Sequence, residues 1–136
     1  MILLNLILVF FIGICLGSFA NVLIFRLPRN KQTITGRSFC PKCKKKIQWF
    51  DNIPLISYLL LSGKCRQCHK SISLKYFIVE GICGAGFVLI FLSYSNYISI
   101  VFLSLLFLLY LIIFFIDLEH FIIPDSLSFT LMFLAI

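Results

Sequence analysis

Ile98–Ile116 reads ISIVFLSLLFLLYLIIFFI, nineteen residues without a charge and almost purely Leu, Ile and Phe. As a helix rising 1.5 Å per residue the run is about 30 Å long, the thickness of a bilayer's hydrocarbon. Working outward, Met1–Phe25 is also free of charge, with Asn5, Ser18 and Asn21 as its clearly polar side chains, and Tyr76–Leu92 is a third apolar segment, interrupted by Glu80. After Pro124 and Asp125 a fourth begins at Ser126 and reaches Ile136, eleven residues against the roughly 20 needed to span. Composition agrees: 61% of residues are apolar and 12% charged, where a soluble domain has about 45–50% and about 25%. The chain reads as an all-α polytopic membrane protein of about four transmembrane helices, the last truncated. Met1–Phe25 lacks the basic start and small-residue end of a cleavable signal, so it is expected to stay as a membrane helix.

Charge organises the rest. All twelve Lys and Arg lie between Arg26 and Lys75, against one acid, Asp51. Such loops stay in the cytoplasm. The expected division is therefore residues 1–25 as the first membrane helix, 26–75 as a cytoplasmic basic loop, and 76–136 as helices two to four. By alternation the N-terminus and Ser93–Tyr97 lie outside, while Asp117–Asp125 returns to the cytoplasmic side with the loop. A nucleic-acid surface would use the same cations, but topology already accounts for them, and no nucleic-acid partner is expected. Anionic lipid headgroups are.

Inside the loop, Cys40-Pro-Lys-Cys43 and Cys65-Arg-Gln-Cys68 form two CxxC pairs with 21 residues between them. Each pair sets two sulfurs for adjacent corners of a tetrahedron, and two pairs close it. Lys42, Lys44, Lys64 and Arg66 favour the thiolates that zinc requires. Two disulfides or a redox dithiol would use the same residues, although a reducing cytoplasm opposes structural disulfides. Zinc held by Cys40, Cys43, Cys65 and Cys68 is the expectation, structural because four thiolates leave no open position: a zinc-ribbon-like loop. Cys15 and Cys83 lie in membrane segments and read as packing. So do the small-xxx-small pairs Gly13/Gly17 and Gly81/Ala85, and the run Gly81-Ile-Cys-Gly-Ala-Gly86. Ile53–Leu61 is apolar but too short to span. No longer internal repeat stands out.

Polar residues return at Asp117-Leu-Glu-His-Phe-Ile-Ile-Pro-Asp125. Glu119 and His120 fit an ordinary helix end. Asp125 after Pro124 suits a helix start, where its charge complements the dipole. Asp117 directly follows the apolar run, at a depth expected to desolvate a carboxylate in part, which makes it a functional candidate.

Taken together, Gly17-Ser-Phe-Ala-Asn-Val-Leu-Ile-Phe-Arg-Leu-Pro28, the paired CxxC loop with Asp51-Asn-Ile-Pro-Leu-Ile-Ser-Tyr58 inside it, Lys75-Tyr-Phe-Ile-Val-Glu80, and Phe115-Ile-Asp117 with Ile123-Pro124-Asp125 resemble the N-terminal portion of prepilin peptidases. The likeness runs along essentially the whole chain, with Phe77 standing where a proline is usual. It implies a plasma (inner) membrane aspartic endopeptidase that removes the basic leader of type IV prepilin or pseudopilin precursors at the cytoplasmic face. In many members N-methylation of the new N-terminus follows, with S-adenosylmethionine as donor, an activity usually linked to the cysteine loop. By position Asp117 is the first catalytic aspartate, with Asp125 and Glu80 as candidate supporting residues. The second aspartate belongs to a GxGD-type motif, which these 136 residues do not contain. A zinc-bearing membrane anchor and an inactive fragment are the competing readings. The scissile bond of such a precursor separates a basic leader from an apolar stem, so it lies at the boundary where charge counting sets Asp117.

Overall fold

A computed structural model describes residues 2–29, 39–40 and 42–121. The fourth apolar segment and Asp125 lie outside the described residues. Three long helices, α1 (Ile2–Arg26), α3 (Leu74–Ser93) and α4 (Tyr97–His120), are each long and apolar enough to cross a membrane. A short helix, α2 (Ile56–Leu60), lies in the loop between α1 and α3. Caps mark where the long helices begin. Ser73 accepts the N–H of Lys75 at the start of α3, and Asn96 accepts that of Ile98 at the start of α4, each satisfying an otherwise orphaned donor. The expected third segment stopped at Ile116. The helix instead runs four residues further, so Asp117, Glu119 and His120 form its last turn, and Phe121 closes it in the left-handed region with its N–H on the Asp117 carbonyl (2.8 Å).

The three helices share one core, in which Ala20 and Ile24 of α1 meet Val79, Cys83 and Phe87 of α3 and Leu108, Leu111, Ile112 and Ile116 of α4. Between α1 and α3 the backbones nearly touch. A Cβ on Gly13 would meet Gly84 Cα at 2.8 Å, and one on Gly17 would meet Glu80 Cα at 2.9 Å. Close approach of this kind replaces the hydrophobic drive that lipid cannot supply. The expected partner pair on α3 is wrong. Gly81 has nothing within 4 Å of where a Cβ would be and Ala85 is exposed, whereas Gly84 packs on α1 and Gly86 makes room for Phe107 of α4. Small residues at four-residue spacing are common in such helices, and spacing alone does not say which face meets a neighbour. Of the two membrane cysteines, Cys83 is fully buried as expected and Cys15 is exposed on α1.

Because α3 leaves the loop and α4 returns after a three-residue turn, the end of α4 comes back to the loop end of the bundle. There Lys75 Nζ on α3 is ion-paired with Glu119 on α4.

Candidate metal and buried-acid site

The cysteine loop is built twice. In the first half Cys40 N–H donates to Lys45 O (2.9 Å), Lys44 N–H donates to Cys40 O (2.8 Å), and Phe39 bridges Lys46. In the second, Cys65 N–H donates to Lys70 O (3.0 Å), His69 N–H donates to Cys65 O (2.9 Å), and Lys64 bridges Ser71. The residue after each second cysteine, Lys44 or His69, has φ between 50° and 60°, which turns the chain back so that both sulfurs point inward. The two halves are one knuckle repeated, a likeness that the side chains at 41–42 and 66–67 conceal. Lys42 Nζ donates to Ser71 O (3.0 Å) across the two.

All four Sγ atoms lie within 4.8 Å of one another, with Cys40 and Cys68 at 3.9 Å. Zinc–thiolate bonds of about 2.3 Å in a tetrahedron set sulfurs about 3.8 Å apart, so the donor set fits a metal such as zinc. The backbone N–H groups of Cys68 and then Gln67 draw the Cys65 thiol down to about 7. At Cys68 the Lys70 N–H pulls the same way, but burial and the hydrogen bonds of the other thiols outweigh it, raising that group to about 11. A metal would take these sulfurs as thiolates, so its binding would release protons.

Beside the knuckles runs Asp51–Tyr58, and its turns explain that motif. Asp51 receives Arg66 side-on through Nε (2.9 Å) and Nη2 (2.7 Å), tying the first half of the loop to the second knuckle. Ser57 Oγ donates to Phe50 O (2.9 Å). Leu55 sits at φ 59°, ψ −49°, and Ile56 N–H reaches back to Pro54 O (2.6 Å), a γ-turn of the rare, strained kind. What holds it is Glu80 of α3, whose Oε2 accepts the Leu55 N–H at 2.8 Å. Tyr58 packs near Phe77 (5.3 Å between ring centroids), so the Phe77 ring gives the loop an apolar seat on α3. Gly63 (φ 65°) is needed under Tyr58, because a Cβ there would meet the Tyr58 hydroxyl at 2.8 Å.

Glu80 is 8% exposed, and the Ser18 and Asn21 side chains of α1 face its carboxylate. Asn21, 5% exposed, donates through Nδ2 to Tyr76 O (3.0 Å) across the helix interface, while its Oδ1 is buried without a partner. A cavity of about 220 Å³ opens above them, bounded by α1, α3 and the cysteine loop and reaching Cys40 and Cys65. Asp117, the favoured acid from sequence, is not brought to this cavity. It stands exposed on the last turn of α4, with no side-chain partner among the described residues. Sequence had noted Glu80 within a motif but gave no sign of its burial. The available signal was a lone carboxylate about one turn inside an apolar segment.

Residues 11–94 match the family model for the bacterial peptidase A24 N-terminal domain. The chain belongs to the prepilin peptidase A24 family. Among relatives of this family, the prepilin leader peptidase/N-methyltransferase of Vibrio cholerae is 44% identical over 133 residues, covering 91% of this chain and 52% of the relative. Those of Myxococcus xanthus and Klebsiella pneumoniae are each 38% identical, covering 88% and 90% of this chain and 36% and 57% of their own lengths. The chain thus spans about half the length of the A24 relatives it matches. No solved structure gives a significant match.

Proposed function

We propose that this chain forms the N-terminal half of a membrane aspartic endopeptidase that cuts the basic leader from type IV pilin-like precursors, and that it takes part in N-methylation of the new N-terminus. The observation that carries the reading is the position of Asp117: exposed on the final turn of α4, at the same end of the bundle as the cysteine loop and the Lys75–Glu119 pair. A precursor with a cationic leader and an apolar stem presents its scissile bond at that level of the bilayer. In this reading Asp117 is one of two carboxylates that share a proton, one activating water while the other protonates the scissile carbonyl or the leaving amine. The partner aspartate comes from a GxGD-type motif outside these 136 residues, with Asp125 assigned to a helix start. Four cysteines at coordinating distance support a structural zinc. When bound, it would fix the two knuckles to each other, and the lysines around it would face anionic lipid. S-adenosylmethionine is the methyl donor that the family resemblance implies.

The test is conversion of a precursor by the protein extended to the length of its relatives, in detergent or membranes, followed by the size shift and by mass analysis of the new terminus. Cleavage after the leader is expected. An intact precursor overturns the reading, and cleavage without methyl gain removes its second half. Sidedness is checked separately: a cysteine introduced at Ser95 should label from outside intact cells and one at Gln32 should be protected.

A further inference from the structure

Within the cationic loop, residues 47–61 (IQWFDNIPLISYLLL) carry a single charge, Asp51, which is paired with Arg66. The apolar side chains of this stretch are turned outward. Trp49 is 79% exposed, Leu59 65% and Leu60 78%, and Phe50, Ile53 and Ile56 are exposed as well. Ser57 Oγ on Phe50 O (2.9 Å) ties α2 to the 3₁₀ turn at Trp49–Asn52, while Tyr58 is the side chain that seats on α3. Clustered exposure of large apolar side chains marks an interaction surface. The height of the segment says what covers it. Arg26 is the last charge on α1 and Lys75 the first on α3, so they mark the loop end of the two spans. Phe77 lies two residues inside that mark and Glu80 five, about 3 and 7.5 Å along a helix axis. Tyr58 packs on the first and the second holds the Leu55 N–H. The segment therefore lies alongside the membrane ends of the helices, at the depth where interfacial segments bury apolar side chains by about 5–10 Å. Tryptophan is enriched at that level. Lys44, Lys45 and Lys46 before the stretch and Lys64 after it are exposed cations, opposite in charge to anionic headgroups.

We propose that Trp49–Leu60 is an interfacial membrane anchor. Its exposed apolar side chains enter the headgroup layer of an anionic leaflet, and the flanking lysines meet the lipid phosphates. The occupant is lipid, because the flanking charge is complementary to it and three helices able to cross a membrane already hold the segment at that depth. Neither proteolysis nor methyl transfer is required for it. The second cysteine knuckle is joined to this segment by the Asp51–Arg66 pair, so anchoring holds the knuckles against the bilayer surface.

Trp49 is the chain's single tryptophan, so its fluorescence reports on this segment alone. The chain is placed, one copy per disc, in nanodiscs of phosphatidylglycerol or of phosphatidylcholine, with bromine near the glycerol end of the acyl chains as the lipid quencher and acrylamide as the aqueous one. In phosphatidylglycerol the brominated lipid should quench Trp49 at least about twofold, while acrylamide has little effect. Lipid quenching should be weaker in phosphatidylcholine. Leu59→Asn combined with Leu60→Asn alters two exposed side chains and should leave melting and metal content at the parent's values. In that variant lipid quenching should fall by about half or more and acrylamide quenching should rise. Quenching by acrylamide and not by lipid overturns the anchor, as does lipid quenching that the double variant leaves unchanged. Quenching that ignores lipid charge overturns the part given to the lysines. Discs holding two copies, and the relative-length protein with Trp49 kept as its one tryptophan, test the other occupants. Lipid quenching that persists in both supports the anchor. Trp49 shielded from both quenchers in either one gives the surface to a second copy or to the rest of the protein, and the anchor falls.

Discussion

Two carboxylates at the loop end of the bundle invite comparison. Glu80 on α3 is buried, fixed by a backbone N–H and set under a cavity, whereas Asp117 on α4 is exposed and bare among the described residues. The buried acid is positioned entirely by this chain: α1 comes within van der Waals contact of α3 at Gly17, and the loop folds down through Leu55. The exposed acid is positioned by its helix alone and offers its side chain outward to whatever packs beside α4. One acid is enclosed by this chain and the other is left open on its helix. The chain spans about half the length of its relatives.

The comparison breaks most plainly at Asp117. In the relative-length protein, Asp117→Asn should lower leader cleavage by at least about a hundredfold, because Asn keeps the shape but cannot take or hold the shared proton. Cleavage rates near the parent's would show that the exposed acid is only a helix end. Asp125→Asn, at an expected helix start, should leave far more activity, since a dipole contribution is about 0.3–1 kcal/mol.

Next in size is the metal. Cys40→Ser should abolish stoichiometric zinc binding and loosen residues around the knuckles, while the three long helices still insert. Metal analysis of protein purified without chelator, together with hydrogen exchange, measures both. Full zinc occupancy in the variant would remove the four-thiolate assignment.

A smaller effect separates the faces of α3. Gly84→Val pushes a side chain into Ile14 and Phe10 of α1 and should cost about 1–3 kcal/mol of stability. Gly81→Val enters open space and should be close to neutral. Thermal melting in one detergent compares the two, and equal losses would mean that α1 and α3 do not meet as described. The smallest effect belongs to the pair that joins the two regions. Lys75→Gln should cost at most about 1 kcal/mol, because the pair is partly exposed. A double-mutant cycle with Glu119→Gln tests whether even that coupling exists.

Much of this was legible in advance because membrane spans follow from composition: a charge-free run near 30 Å has few alternatives in a chain this small. The paired CxxC spacing likewise carried its own geometry, and the cysteines do cluster. What escaped sequence reading depended on partners. Gly81 and Ala85 have the right spacing, but only the neighbouring helix decides that Gly84 is used. Nothing in Pro54-Leu55 announces a γ-turn, since an ordinary leucine occupies it and the stabilising acid lies 25 residues away. The likeness of the two knuckles resides in backbone hydrogen bonds at equivalent positions, and these leave little trace in side-chain identity. Order along the chain put Asp117 at the end of an apolar run but is blind to the side of the helix on which it falls, and only the packed helices show it turned away from the cavity.

The close approach at Gly13, Gly17 and Gly84 has a consequence for biogenesis. During synthesis α1 precedes α3, and its glycine groove finds its match only after the whole loop and much of α3 have been translated. Until then the groove is filled by lipid or by another helix. Asn21 waits as well, since its bond to the Tyr76 carbonyl joins residues 55 positions apart. α1 is thus made well before the helix it packs against, and the loop between them sets that delay.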